Sequence, residues 1–304
     1  MGGGEGTARF DGASGGVRFF LLVPSAEDKR CARLLIESLR AFGGPLVGAS
    51  VSAFVPGADS MAPVGGATMV PLEVDDALFE YPFGAKVLAA ARAEEIASEN
   101  EGSLVWMSPQ CLVVGRPDLL RLSGGARAAL RPVHIRNVGS RADGPPDEYW
   151  AAVYRSVGLD EASWSVTSLV DPEVIRPYYN THLFSVDPKL GLMRSWLDRF
   201  RAMVADAPFQ AGACSDPIHR AFLHQAVLSA LVTKALGRER ILELPLEYSY
   251  PLHFHGRVPA SVRPRALNDV ICPVYEGAYE HPATLGGLAV EEPLRAWFEE
   301  RAGR

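Results

Sequence analysis

The sequence predicts an α/β protein, a sheet of largely buried strands with helices on its faces. Two long apolar runs carry this reading, Val17-Arg-Phe-Phe-Leu-Leu-Val23 and Ser103-Leu-Val-Trp-Met-Ser-Pro-Gln-Cys-Leu-Val-Val-Gly115, because strands buried on both faces read as near-continuous hydrophobic stretches. The order of elements agrees: strand, helix, strand, strand, helix, strand over the first 115 residues, the rhythm of a sheet wound by crossover helices. The second run is also interrupted by a polar step at Ser108, Pro109 and Gln110. Ligands of open α/β sheets bind just beyond the carboxyl ends of strands, so this step predicts where a site lies.

Each element has a local signal. Pro24 closes the strand at 17–23, and Ser25-Ala-Glu-Asp28 has the form of a capping box opening a helix that reaches Phe42. Gly43-Gly44-Pro45 ends that helix. Residues 49–55 alternate as a strand, 68–74 form a weaker one in which Pro71 marks an edge or a bulge, and 83–98 are helical. Past Gly115, residues 129–137 read as a strand and 147–157 as an amphipathic helix with Trp150 and Tyr154 on one side. A strand at 178–186 enters the sheet, and long helices follow at 189–205 and 217–236. Six prolines break up the last third before a helix at 292–301. The Gly-rich residues 1–16 are expected to be a flexible tail without the pattern of a signal peptide.

Composition excludes several classes. The 304 residues carry a formal net charge of −6, which gives no clustered basic surface for nucleic acid or an anionic membrane. An anionic ligand must therefore be held by locally gathered Lys and Arg. Cys31, Cys111, Cys214 and Cys272 form no C-x-x-C pair, and three sit among apolar neighbours. They read as small core residues of a protein in the reducing cytoplasm. No window reaches the roughly 18 to 20 apolar residues of a membrane span.

Familiar motifs are missing or misplaced. Gly12-Ala-Ser-Gly-Gly16 matches G-x-S-x-G in letters but precedes a strand, so it lacks the geometry of a nucleophile elbow. No G-x-G-x-x-G follows a strand, and neither a P-loop nor H-E-x-x-H is present. What remains is an ordered set: the strand and helix at 17–42, Glu80-Tyr-Pro-Phe-Gly-Ala-Lys86, the run at 103–115, Tyr179-Asn-Thr-His182, Phe222-Leu-His-Gln-Ala-Val-Leu228, and residues 244–255. This order resembles the GT-A fold nucleotide-sugar glycosyltransferases, in particular the branch related to glycogenin and to bacterial galactosyl- and glucosyltransferases. The resemblance covers nearly the whole chain. It implies a mixed, mainly parallel sheet in a single Rossmann-like domain over residues 17–304, with a nucleotide-binding half to 140 and an acceptor-side half from 141. Its implied partners are a nucleotide-sugar or nucleotide diphosphate and an unspecified acceptor.

The resemblance also implies a set of site residues, each with a plainer reading beside it. Pro24 and Ser25, after the first strand, are implied substrate contacts. Ser108 and Gln110 stand where the family carries the acids of a D-x-D step, whose oxygens hold Mg²⁺ or Mn²⁺ against the diphosphate. Both are neutral here, so no conventional metal clamp is expected; alternatively they only turn a strand out of the sheet. Lys86 matches a basic donor contact able to hold a phosphate at a helix N-terminus, or is a solvated first-turn lysine. Asn180-Thr-His182 resembles an N-x-G step beside the sugar, with His182 filling the room that glycine leaves, or forms an edge turn.

His224-Gln225 resembles the D-Q pair facing the sugar, and these two are the expected catalytic residues. Gln225 would bind a hydroxyl and His224 would act as donor or base, unless the histidine is a satisfied core residue. His253-Phe-His255 resembles the late metal-binding histidine, its i, i+2 spacing placing both rings on one face of an extended segment; with neutral nitrogen donors it would suit zinc or manganese. Asp75-Asp76 is either a displaced contact or an N-cap. Arg257, Arg263 and Arg265 lie in a Pro-rich loop that could close guanidinium forks over a diphosphate, or are a solvated surface. The resulting expectation is glycosyl transfer in which cationic side chains stabilise the departing diphosphate. The alternative is a catalytically silent scaffold that binds a partner or an oligosaccharide.

Overall fold

The computed structural model describes residues 16–57, 62–275 and 288–301. The expected tail lies outside them, except for Gly16, which begins the first strand. Five strands come from the first half: β1 (Gly16–Leu22), β2 (Ser50–Pro56), β3 (Thr68–Leu72), β4 (Glu101–Met107) and β5 (Ala128–Pro132). Two more come from the second half, β6 (Tyr179–Val186) and β7 (Ile241–Glu243). They form one seven-stranded sheet in the order β3-β2-β1-β4-β6-β5-β7. All pairings are parallel except those of β6, which runs antiparallel to both β4 and β5. The sheet is thus mixed and mainly parallel, and β3, with its Pro71, is an edge as its proline predicts.

Alternation along the strands explains the apolar runs. Phe20, Leu104, Trp106, Leu130 and Phe184 enter one core layer, while Phe19, Leu21, Val105, Met107, Ala129 and Leu183 enter the other. The second layer is covered by α1 (Ala26–Phe42), whose Ala32, Leu35, Ile36 and Leu39 are buried. The first is covered by α3 (Gly84–Glu95), α4 (Glu148–Val157), α5 (Leu192–Ala205) and α7 (Pro217–Ala235), with the short α2 (Asp76–Glu80) leading into α3 and the short α6 (Ala207–Ala211) between α5 and α7. Helix α7 is buried at every position from Leu223 to Thr233, which accounts for its apolar sequence on all sides. Helix α5 starts at Gly191, which has no capping side chain; Glu94 of α3 accepts from Met193 N–H (3.0 Å) and Arg194 N–H (3.1 Å) in its place.

Two boundaries differ from the sequence reading in ways that matter. The 103–115 run is not one strand. It leaves the sheet after Met107, turns where Cys111 N–H bonds Ser108 O (2.9 Å), and forms a second ladder in which Leu112 and Val114 donate to Pro273 and Ile271. That partner segment is β9 (Cys272–Val274), itself paired with β8 (Tyr248–Pro251). The helix expected at 83–98 spans only 84–95 and begins at a tight corner. Asp75 caps α2 through Leu78 N–H (3.0 Å), which settles the Asp75-Asp76 pair as a helix start. Phe83 then takes a left-handed conformation (φ 61°, ψ 12°), and α3 starts at Gly84. The final helix is α8 (Leu294–Glu299). No helix among the described residues is long and apolar enough to cross a membrane.

Gly84 is the residue that lets α2 and α3 close on each other, since a Cβ there would lie 2.1 Å from the carbonyl oxygen of Leu78. Gly84→Ala is expected to cost about 1–3 kcal/mol through forced backbone shifts. Urea unfolding checks this as a lower midpoint at unchanged slope.

Candidate functional site

The reversed strand β6 brings its amino end to the carboxyl ends of β4 and β5, and the polar residues gather at that junction. Ser108 N–H bonds His182 O (2.8 Å), which continues the ladder one step beyond Met107 before the chain turns away. Ser108 and Gln110 are therefore half-buried residues on a turn at the sheet edge, and both the turning role and the edge position hold. Asn180 and Thr181 are buried residues in the extended first part of β6, so the edge-turn reading of this step is wrong.

Lys86 is the centre of the first group of contacts. It is 5% exposed, so the solvated first-turn reading also fails. Its Nζ donates to Thr181 O (2.6 Å) and lies 4.9 Å from the Trp106 ring centroid and 5.7 Å from that of Phe83, positions that favour a cation over aromatic faces. Among the described residues no carboxylate forms an ion pair with it. Burial pushes its ammonium down to about 7.

His224 completes this group from α7. Its Nδ1 lies 2.9 Å from Ala221 O, and a carbonyl only accepts, so the proton sits on Nδ1. Burial first, and the Lys86 charge second, hold this imidazole well below the usual histidine range and therefore neutral. Its Nε2 lone pair consequently accepts from Thr181 Oγ1 (3.0 Å), with Gln225 Oε1 3.3 Å from the same hydroxyl. The Phe83 ring stacks on the imidazole at 4.3 Å, and Trp196 donates to His224 O (2.8 Å). Both ring nitrogens of His224 are thus engaged by the protein itself.

A second group adjoins the first through β6. Asn180 Oδ1 accepts from His182 N–H (2.6 Å) and lies 2.7 Å from His182 Nδ1, so a neutral His182 ring carries its proton there. Its ring lies parallel to that of His134 at 5.9 Å. His134 donates from Nε2 to Ser249 O (2.6 Å) and is kept neutral by burial, reinforced by His182. Ser249 has a left-handed backbone (φ 53°), and its fully buried Oγ has no hydrogen-bond partner among the described residues. Trp106 Nε1 is a further buried donor of this kind.

The histidine pair departs from its predicted geometry. Residues 252–257 form a 3-10 helix, in which positions two apart point in widely different directions. His253 packs near His134 (ring centroids 6.4 Å apart), whereas His255 Nδ1 meets Tyr250 OH (2.8 Å). No group of three His, Cys, Asp or Glu among the described residues converges as a metal site.

The remaining predicted residues stand apart from this cluster. Pro24 and Ser25 are exposed at the carboxyl end of β1, where Ser25 Oγ accepts from Asp28 N–H (3.1 Å) as the cap of α1. Arg257 pairs with Asp171 and lies over the Phe254 ring, and Arg263 donates to the carbonyls of Gly256 and Val258. Of the three arginines of the expected clamp, Arg257 is thus paired and Arg263 braces its own loop. Two surface hollows, of about 330 and 100 Å³, are lined by residues 141–143 with 173–174 and by residues around Tyr250, not by Lys86 or His224.

Sequence reading missed Phe83, Trp106, Thr181, His134 and Ser249. Phe83 and Thr181 lay inside quoted motifs; His134 and Ser249 meet across 115 residues, which no local pattern reveals. Compared with known proteins, the chain matches no family model and no curated sequence.

Lys86 makes stability depend on pH. Its folded value of about 7 lies below the ordinary 10.5, so between these values the unfolded chain binds more protons and stability rises with pH; the cost is fully present below 7. Lys86→Met is expected to be more stable than the unaltered protein at pH 6, with the difference shrinking toward pH 10 by up to about 1.4 kcal/mol per pH unit. Urea unfolding at four pH values measures this, and a constant difference would assign the titration elsewhere.

Proposed function

We propose that the protein binds a nucleotide-sugar or nucleotide diphosphate at the carboxyl edge of its sheet, as a GT-A-like glycosyltransferase that works without a D-x-D metal clamp. The observation that carries this reading is Lys86, a buried ammonium with no carboxylate partner among the described residues, bonded to Thr181 O next to the residue that accepts from Ser108 N–H. A single reversed strand set among parallel ones supports it, being the mixed sheet that the resemblance implies.

The chemistry follows from charge. In transfer, an acceptor hydroxyl attacks the anomeric carbon, the bond to the diphosphate breaks, and negative charge builds on the departing phosphate oxygen, which takes up the proton that the hydroxyl loses. Nζ spends one hydrogen bond on Thr181 O, and its two other hydrogens point to that phosphate in this reading. The interaction is strengthened by the low dielectric around the ammonium. Asn180, Gln110 and Gln225 supply neutral groups suited to hydroxyls, and Pro24 and Ser25 border the nucleoside end. Residues 17–140 form the nucleotide side and 141–304 the acceptor side. Ser108 and Gln110 bring no anionic oxygen, so they do not fit a tight Mg²⁺ or Mn²⁺ site. Four free cysteines, three of them buried, suit a reducing cytoplasmic setting.

A silent binding scaffold is the second reading. It is favoured by His224, whose ring nitrogens are both bonded within the protein and are thus not offered to an acceptor.

Calorimetric titration with uridine and guanosine diphosphates and their sugar conjugates, with and without Mn²⁺, tests the proposal. Binding is expected to be independent of Mn²⁺ and to weaken about tenfold or more in Lys86→Ala, the equivalent of roughly 1.4 kcal/mol. Absence of heat with every nucleotide would overturn it, and sugar release above background separates the active from the silent reading.

A further inference from the structure

Phe83 is placed where a glycine or asparagine would cost the backbone less. The corner between α2 and α3 requires a left-handed residue, and Phe83 takes φ 61°, ψ 12°, a region that bulky side chains rarely adopt. Such strain persists where the surrounding structure enforces it and where the side chain has a task. The ring is not buried by this arrangement. It is 52% exposed, one face resting on the His224 imidazole at 4.3 Å.

We propose that the open face of Phe83 is the platform on which the pyranose ring of the ligand stacks. This rests on the nucleotide-sugar reading for the ligand's class. Aromatic faces take up apolar C–H surfaces while leaving polar groups at the rim free to bond, and a pyranose presents that combination. The choice of a sugar over a nucleobase comes from the Lys86 ammonium, 5.7 Å from the ring centroid. In a nucleotide-sugar the pyranose is joined directly to the terminal phosphate, whereas the base is separated from its phosphate by a ribose. A platform this close to the phosphate-binding charge therefore receives the sugar. Gln225, linked to the stacked His224 through the Thr181 hydroxyl, carries an amide suited to bonding hydroxyls.

The test compares Phe83→Gly, which relieves the backbone, Phe83→Leu, which keeps apolar bulk without a flat face, and Phe83→Trp, which keeps the face. The titrants are uridine and guanosine diphosphates against their glucose, galactose and mannose conjugates. If the platform exists, Phe83→Gly and Phe83→Leu lose tenfold or more affinity for a conjugate and stay within twofold for the bare diphosphate, while Phe83→Trp keeps both. An equal loss for diphosphate and conjugate, or no loss, overturns the platform and leaves Phe83 as a cover for Lys86 and His224. Should the glycine variant fail to fold, the leucine and tryptophan variants decide the matter by the same comparison. If the unaltered protein binds no nucleotide, the reading of its function fails, and saturation-transfer NMR with methyl pyranosides judges the platform separately. Contact that disappears in Phe83→Leu supports it, and no contact overturns it.

Discussion

The reversed strand β6 is the constraint on which the rest of this architecture depends. In a wholly parallel sheet the carboxyl edge is lined only by strand ends and the loops after them. Inserting one antiparallel strand between β4 and β5 puts the start of β6 at that same edge, so Asn180, Thr181 and His182 lie just before the residues paired with β4, with Ser108 N–H bonded to His182 O. Lys86 from α3 and His224 from α7 then reach the same short stretch of backbone from one face, while His134 and Ser249 reach it through Asn180 and His182.

The electrostatic character of the junction follows from what this packing excludes. Among the described residues it contains one ammonium, several imidazoles, of which His134 and His224 are held neutral, and no carboxylate paired with the ammonium. A buried charge without a counter-ion is costly, and here the cost is offset by a carbonyl at 2.6 Å and by the faces of two aromatic rings. Contacts of these kinds contribute about 1–3 kcal/mol each, less than the hydration that burial removes, which is why the proton affinity of Lys86 falls. An incoming anion would supply the missing partner, and the same burial that destabilises the free protein would strengthen that contact.

Much of the framework was legible in the sequence, and the limits of legibility have physical causes. The bounds of α1, Ala26–Phe42, agree with the reading because Ser25 caps one end and Gly43-Gly44-Pro45 breaks the other. The division of the 103–115 run into two ladders was not legible, since both halves are buried and apolar and only Pro109 marks the exit. The i, i+2 rule failed at His253 and His255 because it presumes extended backbone, whereas the segment winds into a 3-10 helix. Among the expected site residues, Lys86, Asn180, Ser108 and His224 gather around the start of β6. Arg257 does not, because Asp171, 86 positions away in sequence, claims its guanidinium.

Backbone strain shows how firmly the junction is held. Three non-glycine residues among those described have positive φ: Phe83, Asn137 and Ser249. Asparagine tolerates that region, so Asn137 asks for little explanation. The other two border the junction, Phe83 against His224 and Ser249 against His134. Each is imposed by something rigid next to it. Gly84 is pressed on the Leu78 carbonyl beside Phe83, and Ser249 sits in β8 with its carbonyl bonded to a buried imidazole. Strain of about 1–3 kcal/mol at each position persists only if the surrounding packing outweighs it. Both distortions are thus carried by the elements that also fix Lys86 and Asn180, so relaxing either corner would move the groups that line the edge.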